Sequence, residues 1–167
     1  MIYADTSVLA AYYCPEPLSE RAQQALLAAQ EPAISWLVEV ELASALSRKV
    51  RNRAMRAADA HQSLAAFESH LEQGLYVRLP VHAGHFAKAR EWLATFALPL
   101  QTLDAVHLAV AAIQGCPILT ADVSLAKTCT KIGITVQLIK LSTGVRLSAG
   151  ELPRALKVAQ VCAAQRS

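Results

Sequence analysis

Apolar and polar positions along this chain switch repeatedly between two periods. Short apolar runs, such as IYA near the start and PILT at 117–120, alternate with longer stretches in which apolar side chains return every three or four residues. Strands joined by helical crossovers produce that alternation, and it predicts an α/β sandwich around a central, mainly parallel sheet.

Met1–Ala4 is the first predicted strand, and Ser7–Tyr13 a short helix halted by the Cys14-Pro15-Glu16-Pro17 corner. Ser19–Ala29 predicts a second helix ending ahead of Pro32, with a brief strand at Ala33–Ser35. A helix over Leu37–Val50 runs through the basic connection RKVRNRAMR into an amphipathic stretch. There Ala57, Ala60, Leu64, Phe67 and Leu71 share one side, so the two helices should form a hairpin closed at Gly74. Leu75–Leu79 reads as a strand, His82–Phe96 as a helix, and LQTLDAVHLAVAAIQG as a helix capped by Thr102 and stopped by Gly115. Pro117–Thr120, Val123–Lys131 and Ile134–Leu138 then repeat strand, helix, strand. Residues 1–140 are expected to form one domain. Residues 141–167 are expected to be a C-terminal extension, with a helix near Leu152–Ala164 packed on the domain or on a partner.

Composition narrows the class. At 167 residues the chain can bury a sufficient core as a single unit without disulfide or metal staples. Hydrophobic content is 54%, but charges interrupt it often enough that no stretch is fit to cross a bilayer. No basic segment followed by a long apolar one opens the sequence, so a cytoplasmic location is expected. Cys14, Cys116, Cys129 and Cys162 lack zinc-site spacing and read as free structural thiols. The net charge of +3 is only mildly favourable for nucleic acid.

The candidate chemistry lies in the acids. Ligands of an open parallel sheet gather beyond the carboxyl ends of its strands. Asp5 follows the first strand and Asp122 follows PILT; both are also good helix caps. Asp104 stands in the first turn of its helix, and Glu41 or Glu39 on the helix after the second strand can reach the same end. The two glutamates point to nearly opposite sides of that helix, which does not choose between them. Arg48, seven residues beyond Glu41 and on the same stripe, favours Glu41. Two carboxylates about 4 Å apart repel by roughly 4 kcal/mol at an effective dielectric of 20. A converging set therefore calls for a hard divalent cation. Oxygen donors alone suit magnesium or manganese, and with them phosphoryl chemistry.

The strings MIYADTSVLAAY, SWLVEVELASALSRKV, LDAVHLAVA and ILTADVSLAK, in this order and spacing, resemble the PIN-domain nucleases, in particular VapC-like toxins of type II toxin–antitoxin systems. The resemblance spans Met1 to about Leu138. It implies a PIN-like three-layer α/β/α sandwich with a sheet of about four to five strands, and a magnesium- or manganese-dependent endoribonuclease. Asp5, Glu41, Asp104 and Asp122 match the family's four acids, which selects Glu41 over Glu39. Asp5, Asp104 and Asp122 would hold the metal, and Glu41 would orient a water or complete the shell. Ser7 and Thr120 stand where small polar residues hydrogen-bond those acids.

The resemblance also implies an RNA substrate, a cognate VapB-like antitoxin and a homodimer. Arg48, Lys49, Arg51 and Arg53, with Arg56 beyond them, offer phosphate contacts for RNA. The alanine-rich helices at Leu18–Ala29 and Ala57–Leu71 offer apolar surface for protein partners. Alternative functions are a PIN nuclease of RNA processing without an antitoxin, or a PIN module that binds without cutting. Aromatic residues are 5% of the chain, and no stacking platform for bases is evident. His107, one turn beyond Asp104 on an apolar helix, is expected to be buried and donating a hydrogen bond. His61, His70, His82 and His85 are expected at the surface.

Overall fold

The structure is a computed structural model that describes residues 1–141. The expected C-terminal helix at Leu152–Ala164, and Cys162 with it, lie outside the described residues.

The chain order is β1 (Ile2–Ala4), α1 (Thr6–Tyr13), α2 (Ser19–Ala28), β2 (Pro32–Ser35), α3 (Trp36–Arg51), α4 (Ala57–Glu72), β3 (Val77–Leu79), α5 (Ala83–Leu93), α6 (Thr102–Gln114), β4 (Ile118–Thr120), α7 (Val123–Ile132) and β5 (Val136–Leu138). The five strands form one parallel sheet in the order β3-β2-β1-β4-β5. Tyr3 of β1 pairs with Ala33 on one side and Ile118 on the other. The first three strands step outward in one direction and the last two in the other, so the topology reverses between β1 and β4. A crevice opens at the carboxyl ends of strands at such a reversal.

Helices α1 to α4 contact one another, and α5 and α6 form a separate close pair. Right-handed crossovers put the first group on one face of the sheet and α5 to α7 on the other. The result is the three-layer α/β/α sandwich. β1 and β4, in the middle, are almost wholly buried, which is why they are short continuous apolar runs. Helix α6 is buried continuously from Ala105 through Ala111, because the sheet lies on one side and α5 on the other. Ala89, Ala105 and Ala109 make the α5–α6 contact close. No described helix is long and apolar enough to cross a membrane.

Several boundaries differ from those expected, each for a local reason. The sixth helix begins at Thr102, which is helical, and Gln101 is the residue before it, with no side-chain cap. The fifth stops at Leu93, short of Phe96, because the Thr95 hydroxyl donates to the Trp92 carbonyl at 2.7 Å and takes over an acceptor of the helix. Gly115 ends α6 in the left-handed region at φ 62°, as its position predicts. Two histidines expected at the surface are buried. His70 lies on the inner face of α4, where its Nδ1 meets the Tyr13 hydroxyl at 2.6 Å. His85 turns its Nδ1 back to accept the His82 backbone N–H at 2.8 Å. Each partner satisfies one nitrogen of its buried imidazole, while Nε2 of His85 is buried without one among the described residues.

Candidate active site

Asp5 leaves the end of β1 and caps α1. Its Oδ1 accepts the backbone N–H groups of Ser7 (3.0 Å) and Val8 (3.3 Å) and the Ser7 hydroxyl (2.6 Å). Its Oδ2 accepts the Thr120 hydroxyl at 2.6 Å from the end of β4. Asp5 thus caps α1, and the cap fixes its carboxylate at the end of β1. With a single donor on Oδ2, that oxygen keeps a lone pair free, since each oxygen of an ionised carboxylate offers about two.

Ser7 and Thr120 also tie the two strand ends together. The Ser7 Oγ accepts the Ala121 N–H at 2.8 Å, and the Thr120 Oγ1 accepts the Asp122 N–H at 2.9 Å. Asp122 is held by the same device as Asp5, with its Oδ1 accepting from Ser124 N (2.6 Å) and Leu125 N (3.0 Å) at the start of α7. Among the described residues nothing is bonded to its Oδ2.

Glu41 reaches in from the second turn of α3. Its Oε2 accepts the Thr6 hydroxyl and, at 2.6 Å, meets Nε2 of His107. His107 is buried as expected, at 3% exposure, and its Nδ1 meets the Tyr3 hydroxyl at 2.7 Å. The basic side chain beside Glu41 is thus not Arg48, which is exposed farther along α3. Glu39 turns the other way, 3.9 Å from Arg78 on β3.

Asp104, in the first turn of α6, is half-buried and has no hydrogen-bond partner among the described residues. Burial raises its carboxyl above the ordinary value, Asp122 raises it further, His107 opposes, and Asp5 and Glu41 add to the rise. All four acids thus act in one electrostatic field, although they come from three helix starts and the body of a fourth helix. Burial also lifts Asp5, against the hydrogen bonds from Ser7 and Thr120. Glu41 goes the other way: burial raises it, but the hydrogen bond and charge of His107, with the bond from Thr6, hold it below the usual carboxylate value.

Among the described residues, no three His, Cys, Asp or Glu side chains stand as a set that could already hold a metal ion. The chemistry of the donors still suits a hard divalent cation. The four acids offer oxygen only, and both nitrogens of His107 are engaged by Tyr3 and Glu41. The basic residues lie apart from this cluster. Arg48, Arg51 and Arg53 are exposed at the far end of α3, and Lys49 is paired with Glu16. Arg51 is ten residues beyond Glu41, about 15 Å along the helix axis.

Thr6, Tyr3 and Ser35 are the participants that sequence reasoning missed. Thr6 stands inside the DTS string, where a capping role hides it. Tyr3 gives the one available signal, a hydroxyl in the middle of a strand too apolar to be exposed.

A profile described as PIN domain matches residues 2–131. The chain belongs to the PIN domain family. Solved structures agree on the fold. VapC20 of Mycobacterium tuberculosis, a Sarcin-Ricin loop cleaving toxin, superposes with a TM-score of 0.61 at 20% identity, covering 76% of this chain and 94% of that one. A toxin–antitoxin complex from Klebsiella pneumoniae gives 0.57 at 16% identity, covering 79% and 92%. VapBC2 from Rickettsia felis, bound to a DNA fragment from its promoter, gives 0.61 at 18% identity, covering 84% and 100%. No curated protein matches in sequence.

Proposed function

We propose that this PIN-domain protein is a magnesium- or manganese-dependent endoribonuclease that acts in the cytoplasm as the VapC-like toxin of a toxin–antitoxin pair. The observation that carries the reading is the meeting of acids at the strand ends, where Thr120 bonds both the Asp5 carboxylate and the Asp122 N–H, and Thr6, next to Asp5, bonds Glu41. Asp104, an acid without a hydrogen-bond partner among the described residues, is raised by its burial and by three other acids at the sheet's topological reversal. Such a cluster is costly without a cation and suited to one.

Asp5, Asp104 and Asp122 are the residues assigned to hold the metal, and Glu41 to orient the attacking water. When bound, the cation acidifies water and offsets charge building on the phosphate oxygens. Ser7 and Thr120 hold Asp5 in place for that task. Arg48, Arg51 and Arg53, with Lys49, are assigned to RNA phosphates away from the scissile bond. Likeness to a toxin that cleaves the Sarcin-Ricin loop supports an RNA substrate, and likeness to toxin–antitoxin complexes supports a VapB-like partner. A homodimer belongs to the same reading.

Inducible expression of the wild-type chain beside Asp5→Asn, Asp104→Asn and Asp122→Asn, with cellular RNA mapped for new ends, tests the proposal. Growth arrest with new ends in the wild type alone is expected. Equal toxicity in every variant, or toxicity with no new RNA ends, would overturn it.

A further inference from the structure

A buried chain of hydrogen bonds runs behind the acids and ends on one of them, Glu41. Ser35 at the end of β2 meets the Tyr3 hydroxyl of β1 at 2.7 Å. Tyr3 in turn meets His107 Nδ1 at 2.7 Å, and His107 Nε2 meets Glu41 Oε2 at 2.6 Å. Ser35 and Tyr3 are fully buried, and His107 nearly so. An ionised Glu41 Oε2 can only accept, so the proton of this bond lies on His107 Nε2, while Tyr3 and Ser35 engage the ring through its other nitrogen.

We infer that His107 is a positioning residue, which holds Glu41 in its working orientation through this Ser35–Tyr3–His107 chain. The inference rests on the nuclease reading above and deepens it. A glutamate on a helix has a freely swinging terminal torsion, and its two oxygens exchange places easily. Here Thr6 and His107 both engage Oε2, from opposite elements of the fold, α1 and α6. Among the described residues Oε1 has no hydrogen-bond partner. One oxygen is committed to the scaffold and the other is left for the reaction. In a buried setting such bonds are stronger than in water and exchange less readily. His107 cannot itself serve as the base, because its two nitrogens are both occupied behind the site.

The test compares His107→Gln, His107→Asn and His107→Ala, each alone and the last also with Glu41→Gln, in steady-state cleavage of a single-stranded RNA. Glutamine can present an N–H near the position of imidazole Nε2, whereas asparagine is too short. Expected are a fall in kcat of about 10- to 100-fold for the alanine and asparagine variants, in the range of one charge-assisted hydrogen bond, with KM for RNA unchanged. His107→Gln is expected to recover part of the loss, and His107→Ala to cost nothing further once Glu41→Gln is present. Tyr3→Phe, which keeps the ring, is expected to lower kcat by a smaller factor and serves if the alanine variant does not fold. An additive loss in the Glu41→Gln background, or glutamine no better than asparagine, would overturn the inference.

A second readout needs no activity. In protein labelled with ¹⁵N-histidine, the Nε2–H proton of His107 should appear as a slowly exchanging downfield resonance that shifts on Glu41→Gln. Its absence from the wild type would overturn the inference by itself. Wild-type protein that shows the resonance but cuts no RNA overturns the nuclease reading instead.

Discussion

Asp104 differs from the other acids in the way it is held. Asp5 and Asp122 are fixed by helix-start N–H groups and Glu41 by Thr6 and His107, but Asp104 has no such support among the described residues and carries the repulsion of its neighbours. Its folded pKa is raised above the ordinary 3.8, so the folded state binds this proton more tightly than the unfolded chain does. Its ionisation therefore costs stability, progressively from about that ordinary value upward through the folded pKa, above which the full cost is present. Asp104→Asn should raise the melting temperature of the metal-free protein at pH 7 while abolishing cleavage. Added manganese should stabilise the wild type and not this variant, because a ligand stabilises only the state that binds it. Glu41 has the opposite sign. Its folded pKa is depressed, so it contributes stability above the unfolded value of 4.5 that is lost as pH falls through the folded pKa. Thr120→Val keeps the shape but leaves the Asp5 Oδ2 and the Asp122 N–H each without this partner. A loss of about 1–3 kcal/mol in urea denaturation is expected.

At the scale of elements, the strands and helices follow closely from the sequence because the pattern that reveals them is the pattern that packs them. Helix α6 is apolar on nearly every side, and Ala109 is wholly buried between α5 and the sheet. Ala109→Leu should cost about 1–3 kcal/mol by overpacking, read from the shift in urea midpoint. The acids are legible for a related reason: a carboxylate directly after an apolar run marks a strand's carboxyl end, and parallel strands bring such ends together. What surrounds the acids is legible in part: Ser7, Thr120 and a buried His107 are expected from the sequence, whereas the contacts of Thr6, Tyr3 and Ser35 are not. The Thr6 contact to Glu41 joins residues 35 apart, and the Tyr3 contact to His107 joins residues 104 apart. No local pattern encodes either distance. The burial of His70 and His85 escapes for the same reason, since each depends on a partner presented by the fold or the helix start.

Across the whole molecule, the four candidate acids and the arginines that end α3 stand at separate places. The acids gather at the carboxyl ends of the strands, while Arg48, Arg51 and Arg53 crowd the last turn of α3 and the loop after it, where cations also favour the helix dipole. On the proposed function, an RNA strand held at both places would have its scissile phosphate at one end of α3 and downstream or upstream phosphates at the other. Combined Arg51→Glu and Arg53→Glu substitution should raise KM for RNA with little change in kcat. The dependence of log affinity on log salt should flatten by roughly 0.7 for each single-strand phosphate that the variant no longer neutralises. Binding measured over a salt series checks this.

The most direct test of a cation-dependent RNA-cutting site is cleavage of single-stranded RNA by the purified protein, with manganese and with a chelator, for the wild type and Asp104→Asn. Cleavage by the wild type with manganese alone, and none by the variant in either condition, is the predicted result. Cleavage that survives the chelator, or that Asp104→Asn retains at the wild-type rate, would contradict it.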